Sequence, residues 1–151
     1  MKFLIKPLTE TTKEMYTNHS TFHEGDSGLD LFVPNDTVIP AGQMVLVNLE
    51  ISCQLLRSDV SQEYHSYNMY SRSSISKTPL MLANGVGLCD ASYTGPLFAA
   101  LRNLSTEDFT IKRGERYVQL ARADLGPISI ELVETLRDTT RGSGGFGSTG
   151  R

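Results

Sequence analysis

Cysteine is scarce in this 151-residue chain, with only Cys53 and Cys89 present. Two thiols build neither a disulfide framework nor a metal cage of their own, and such sparing use suits a reducing, intracellular compartment, cytoplasmic or nuclear. A basic excess is also missing. Fourteen Lys and Arg stand against 17 Asp and Glu, a net charge of −3, which excludes a generic nucleic-acid binder. No apolar run approaches the ~18 residues of a membrane-spanning helix. The apolar stretch near the start, Phe3–Ile5, is too short for the apolar region of a signal peptide. No GxxxxGK[ST] string occurs, so a Walker-type phosphate loop is absent. No stretch sustains helical spacing over three turns, and no internal repeat or domain boundary is visible.

What is present is the texture of strands. With 39% hydrophobic and 21% charged residues, the chain has globular composition and the size of one domain. A chain of this length buries roughly 70% of its unfolded surface. From Met44 to Leu55, Val45, Val47, Leu49, Ile51, Cys53 and Leu55 alternate with polar Asn48, Glu50, Ser52 and Gln54, the period of a strand with one buried face. Similar runs occur at 2–6, 29–33, 64–70, 97–101, 117–123 and 128–133, separated by turn signals such as Pro34-Asn35-Asp36, Pro40-Ala41-Gly42 and Lys112-Arg113-Gly114. This predicts an all-β single domain, barrel or sandwich, over residues 1–140. One short helix is expected over residues 72–76, ahead of Pro79, and the polar residues 8–27 read as a long surface loop.

The C-terminal stretch 141–151, RGSGGFGSTGR, holds five glycines and cannot pack a core of its own, so a flexible lid is expected there. A plain flexible end is one reading. The composition supports a second. Glycines leave backbone N–H groups free to curve around an anion, Arg141 and Arg151 supply forked charge, and Phe146 offers a ring on which a base could stack.

With that tail in view, the chain resembles the trimeric dUTPases (dUTP nucleotidohydrolases). Five family motifs occur in order: Ser27-Gly28-Leu29-Asp30-Leu31, Ser71-Arg72-Ser73-Ser74, the run from Asn84 to Gly95, Gly114-Glu115-Arg116-Tyr117-Val118-Gln119-Leu120, and Arg141 to Gly150. The resemblance implies a jelly-roll-like β-barrel and a homotrimer whose three active sites are shared between subunits. It also implies Mg²⁺-dependent hydrolysis of dUTP to dUMP and pyrophosphate, by attack of water on the α-phosphorus. The family role is to keep uracil out of DNA and supply dUMP. Neither a nucleic-acid nor a membrane partner is expected.

Carried over residue by residue, the resemblance makes Asp90 the general base, a role a carboxylate ionised at neutral pH can fill. An aspartate after an apolar run is otherwise a turn cap. Tyr93 would floor the deoxyribose and exclude a 2′-hydroxyl, and Asn84 would meet the uracil edge. Arg72, Ser73 and Ser74 would hold phosphate at a helix N-terminus, where serines also serve as simple caps. Gln119 would contact the phosphate chain. From the tail, Phe146 would stack over uracil while Arg141, Gly147, Ser148 and Thr149 hold the γ-phosphate. Ordering such a tail costs about 1–2 kcal/mol per residue, so dUDP should close it poorly. Asp30 would support the phosphate site through metal-bound water or by orienting Arg72. Mg²⁺ would be held by the phosphates and water, with no direct protein ligand.

The family pattern is departed from at Ser92, where a second acid is common, at Ser71, where proline often stands, and at Tyr117, usually aliphatic. Arg116 reads equally as a surface or inter-subunit ion pair, and His19, His23 and His65 receive no role. Cys89 reads as a small buried hydrophobe rather than a nucleophile. Two alternatives share the scaffold. One is a non-catalytic nucleotide-binding regulatory trimer. The other is a dCTP deaminase, disfavoured because Ala100 stands where that family carries its catalytic glutamate.

Overall fold

Alternating residues become strands almost wherever they occur. The computed structural model describes residues 1–145. Among these, β1 (Lys2–Pro7) leads into α1 (Glu10–Thr17), then β2 (Gly28–Leu31), β3 (Thr37–Ile39), β4 (Met44–Asn48), β5 (Ile51–Leu56), β6 (Tyr64–His65) and β7 (Tyr67–Ser71). A 3₁₀ helix, Ser73–Lys77, precedes β8 (Leu80–Leu82), β9 (Gly87–Cys89), β10 (Phe98–Asn103), β11 (Phe109–Ile111), β12 (Val118–Arg122) and β13 (Ser129–Leu132). The fold is all-β and jelly-roll-like.

Hydrogen bonding divides these strands among four sheets rather than closing one continuous barrel: β13-β1-β5-β6, β4-β10-β8, β11-β3 and β2-β12-β7-β9. The two four-stranded sheets face one another. Phe3 and Ile5 of β1 meet Leu29 and Leu31 of β2, Tyr67 of β7 and Leu120 of β12 in a core from which solvent is excluded. The Phe3 and Tyr67 rings touch edge to face at 5.2 Å and bridge the two layers. Each such side chain contributes roughly 1.5–3 kcal/mol through burial.

Three expectations are corrected. The segment 8–27 is not all loop. Thr9 caps α1 by accepting from the Thr12 N–H, while the Thr12 hydroxyl accepts from the Thr9 N–H, each at 3.2 Å. That reciprocal cap stabilises a helix of only two turns. Its inner face buries Thr12 and Tyr16, and the Tyr16 hydroxyl accepts from the Phe32 N–H at 3.0 Å.

The run 44–55 is two strands in different sheets. The chain turns at Leu49-Glu50, with Glu50 at φ 53° and its N–H donated to Asn48 Oδ1 at 2.9 Å. Alternation also ends there, because β5 is buried along its whole length. The helix expected at 72–76 is a single 3₁₀ segment one residue later. Its first turn is too short for a helix dipole to act on an anion, and Arg72 at its N-cap makes no side-chain cap bond.

Candidate active site

Two pockets hold all the described candidate site residues except Ser74, and both are built on the sheet β2-β12-β7-β9. The first lies beside β9. Met69, Asn84, Cys89, Asp90, Tyr93 and Arg141 are among the residues that line a cavity of about 240 Å³. Asp90 immediately follows β9, its carbonyl accepting from the Tyr93 N–H at 2.9 Å. That tight turn swings Tyr93 over the backbone of Gly95. A Cβ at Gly95 would lie 2.7 Å from the Tyr93 hydroxyl, so only glycine admits the ring here. The hydroxyl donates to the Pro96 carbonyl at 2.6 Å, and burial pushes the phenol above its ordinary value. Burial also pushes the Cys89 thiol up to about 11, which keeps it protonated at neutral pH and fits the buried-hydrophobe reading.

The Asp90 carboxylate is not a turn cap. It pairs with the Arg141 guanidinium, which also lies 5.5 Å from the centre of the Tyr93 ring and donates from Nε to the Gly144 carbonyl at 2.6 Å. The Asp90 turn is fixed from behind as well, because the Ala91 N–H donates to Ser66 Oγ at 3.1 Å.

The second pocket, about 270 Å³, is lined by Ser27, Gly28, Asp30, Arg72, Ser73 and Gln119, together with Phe22 and Asp26. Asp30 is its organising charge. Its side chain, 9% exposed, accepts from Arg72 Nε at 2.8 Å on one oxygen and from Arg116 Nη1 at 3.1 Å on the other. Arg116 is therefore paired within its own chain. Arg72 also donates to Ser74 Oγ at 3.2 Å, so Ser74 braces the arginine. Gln119 stands opposite Asp30 in the ladder of β12 with β2 and donates its amide to the Ser71 carbonyl at 3.2 Å. A Cβ on Gly28 would lie 2.0 Å from Gln119 Oε1, so the motif glycine makes the space this amide occupies.

The two pockets follow one another along β7: Met69, at the strand's centre, lines the first, and Arg72, just past its end, lines the second. Ser66, which holds the Asp90 turn, precedes the strand, and Arg72 follows its last residue. The extended chain between them spans roughly 20 Å.

Several contributors carried no legible signal. His19 donates from Nε2 to the Asp30 carbonyl at 2.7 Å, and its ring lies against Phe32. Phe22 is 65% exposed beneath the Arg116 guanidinium, at 5.0 Å. Thr139 donates to the Ser92 carbonyl. Tyr117, the departure from an aliphatic residue, is buried and donates its hydroxyl to Glu115. Phe146, Gly147, Ser148 and Thr149 lie outside the described residues.

A family model described as dUTPase matches residues 16–150. The chain belongs to the dUTPase family. It is 36% identical over 129 residues to the deoxyuridine 5′-triphosphate nucleotidohydrolase of Gloeothece citriformis (strain PCC 7424), covering 85% of each chain. To the protein of that name from Clostridium novyi (strain NT) it is 31% identical over 147 residues, covering 97% of this chain and 99% of that one. Among solved structures, the dUTPase from Streptococcus mutans superposes with a TM-score of 0.54 at 29% identity, over 67% of this chain and 78% of that one. The Staphylococcus bacteriophage 80alpha dUTPase G164S mutant with dUpNHpp gives a TM-score of 0.64 over 99% of both chains. Its 20% identity makes it evidence of fold alone. Within the dUTPase frame, Ala100 is buried on β10 opposite Leu46 of β4, with no acid at that position.

Proposed function

We propose that the chain hydrolyses dUTP to dUMP and pyrophosphate, with the β9 pocket taking the nucleoside and the pocket around Arg72 taking the triphosphate. The observation that carries this reading is the first pocket itself: an amide, a carboxylate and a tyrosine ring converge there from one motif run. Asn84 reads the uracil edge, and the Tyr93 ring, immobilised over Gly95, leaves no room for a ribose 2′-hydroxyl. Asp90 takes a proton from water as its oxygen attacks the α-phosphorus. The bond from that phosphorus to the bridging oxygen breaks, and pyrophosphate leaves. Arg141 neutralises phosphate charge when substrate draws it from Asp90. Residues 141–151 act as the lid.

Arg72, held through Nε by Asp30 and through Nη1 by Ser74 Oγ and the Arg116 carbonyl, offers phosphate its Nη2, with Ser73 and Gln119 beside it. Among the described residues no three His, Cys, Asp or Glu side chains converge as a metal site, and both Asp30 oxygens already face arginines. That donor set fits Mg²⁺ carried by the substrate phosphates and water. Bound in that way, the ion offsets negative charge on the triphosphate.

The assembly that goes with this reading is a homotrimer with shared sites, in which the second pocket serves a nucleotide held by another copy. The exposed face of β4-β10-β8, with Met44, Leu46 and Met81 each about 40% open, is apolar surface suited to such contact. Among the described residues no helix is long and apolar enough to cross a membrane.

The test is product analysis with dUTP, UTP, dTTP and dCTP, each with Mg²⁺, for wild type and Asp90→Asn. Turnover confined to dUTP and reduced at least a hundredfold by the substitution is expected from a lost general base. Binding of dUTP without product would favour the regulatory reading.

A further inference from the structure

The free edge of β2 is closed by two side chains from the end of α1. β2 stands at the margin of the sheet β2-β12-β7-β9, with β12 on one side only. On its other side the Phe32 N–H donates to the Tyr16 hydroxyl at 3.0 Å, and the Asp30 carbonyl accepts from His19 Nε2 at 2.7 Å. A carbonyl only accepts, so His19 carries its proton on Nε2 here. The two side chains thus supply the acceptor and the donor that one residue of a neighbouring strand would offer. Local structure sets them for it, because Tyr16 and His19 are three residues apart and the His19 N–H closes the turn on the Tyr16 carbonyl at 3.2 Å.

Packing makes this clamp rigid. Tyr16 is fully buried, and its ring meets Phe32 and His19 edge to face at 5.3 and 5.5 Å. The His19 and Phe32 rings lie 4.6 Å apart. The chain entering α1 is tied down in turn, where the Leu8 N–H donates to the Glu50 carbonyl at 3.0 Å. What the clamp grips is Asp30, whose carboxylate receives Arg72 and Arg116.

We infer that Tyr16 and His19 are positioning residues for the triphosphate half of the site. The inference rests on the proposed function and extends it to two groups outside the lining of the second pocket. Both act through β2. By holding the backbone at Asp30 and Phe32 they fix where the Asp30 carboxylate stands, and Asp30 in turn aims Arg72 at phosphate. Contacts of 2.8 and 3.1 Å keep their direction only while the carboxylate stays within roughly 0.5 Å of its place. Closing the edge also keeps another strand from adding to the sheet, but that role alone leaves nucleotide affinity untouched.

Three substitutions in the full-length chain test this. Tyr16→Phe removes the hydroxyl, His19→Phe removes the donor but keeps a ring, and His19→Gln restores an N–H donor where Nε2 stood. The chains are compared at about pH 8, where burial keeps His19 neutral. Calorimetric titration uses Mg²⁺ with either dUpNHpp, the imido analogue of dUTP, or dUMP, and steady-state kinetics use dUTP. Tyr16→Phe and His19→Phe should each weaken dUpNHpp binding and raise KM about three- to tenfold, the range for one lost hydrogen bond. Neither kcat nor the affinity for dUMP, which lacks the β- and γ-phosphates, should move by more than about twofold. His19→Gln should return dUpNHpp affinity and KM to within about twofold of wild type. In an Asp30→Asn background, His19→Phe should add less than about twofold, because its effect passes through Asp30.

Unchanged dUpNHpp affinity in both phenylalanine variants would overturn the inference. So would an equal loss for dUMP, a full-size effect of His19→Phe on top of Asp30→Asn, or a loss in His19→Gln matching that in His19→Phe. Wild type that binds dUpNHpp but forms no dUMP from dUTP would defeat the proposed function instead, and the binding comparison would still decide the positioning role. Wild type that fails to bind the analogue would defeat both.

Discussion

Replacing Asp30 by asparagine keeps the shape of the side chain and removes the charge between two guanidiniums. Arg72 and Arg116 lie 2.8 and 3.1 Å from its oxygens, while the arginine side chains are 25% and 29% exposed. At the effective dielectric of a partly buried site each contact is worth roughly 4 kcal/mol before solvation is counted. Solvent reaching the arginines recovers much of that. The expected net loss of stability is about 2–3 kcal/mol, below the range for breaking a fully buried pair. For a domain of this size that lowers Tm by roughly 5–10 °C. Arg72 also loses its fixed direction, so KM for dUTP should rise about tenfold, equivalent to ~1.4 kcal/mol of binding. Calorimetry and steady-state kinetics on the same preparation read both effects. A variant within about 0.5 kcal/mol of wild type, with KM unchanged, would refute the claim that Asp30 organises the second pocket.

Gly28→Ala should push the Gln119 amide off the Ser71 carbonyl and cut kcat/KM for dUTP at least tenfold. Tm should move by only about 2–3 °C, because the clash is with the end of a flexible side chain; equal kcat/KM would mean Gln119 does not need that space. Burial holds His19 below its ordinary value, so the unfolded chain binds the extra proton first and stability falls as pH drops from neutrality through the folded value. His19→Gln should flatten the fall in Tm between pH 7.5 and about 5.5, and an unaltered profile would clear His19 of that role. Tyr93→Ala should raise UTP turnover relative to dUTP by removing the ring from beneath the sugar, and an unchanged ratio would place the ribose filter elsewhere.

Local pattern carried most of the strands. β1, β2, β10 and β12 are short alternating runs bounded by turn residues, and they form where alternation puts them. Helix α1 escaped because two turns are too few for a period to emerge. Its signal was the capping pair Thr9 and Thr12, with Tyr16 one turn later. The break inside 44–55 was hidden for the opposite reason. Leu49 and Ile51 keep the strand's parity across the corner, and the left-handed residue between them is Glu50 rather than a glycine. At the candidate site, the motif residues converge as two groups, but their pairings are long-range. Arg116 reaches Asp30 across 86 positions and Arg141 reaches Asp90 across 51, and no periodicity encodes such choices. Gln54 stood in an alternating run where a polar residue signals a solvent face. In the fold the C-terminal segment covers that face, so its amide works from the interior.

The most direct test of the account is the fate of the water oxygen. Wild-type protein turning over dUTP in ¹⁸O-enriched water should place one heavy oxygen in the phosphate of dUMP and none in pyrophosphate, as attack at the α-phosphorus requires. Label in pyrophosphate would contradict the assigned bond cleavage, and absence of product under the same conditions would contradict the enzyme itself.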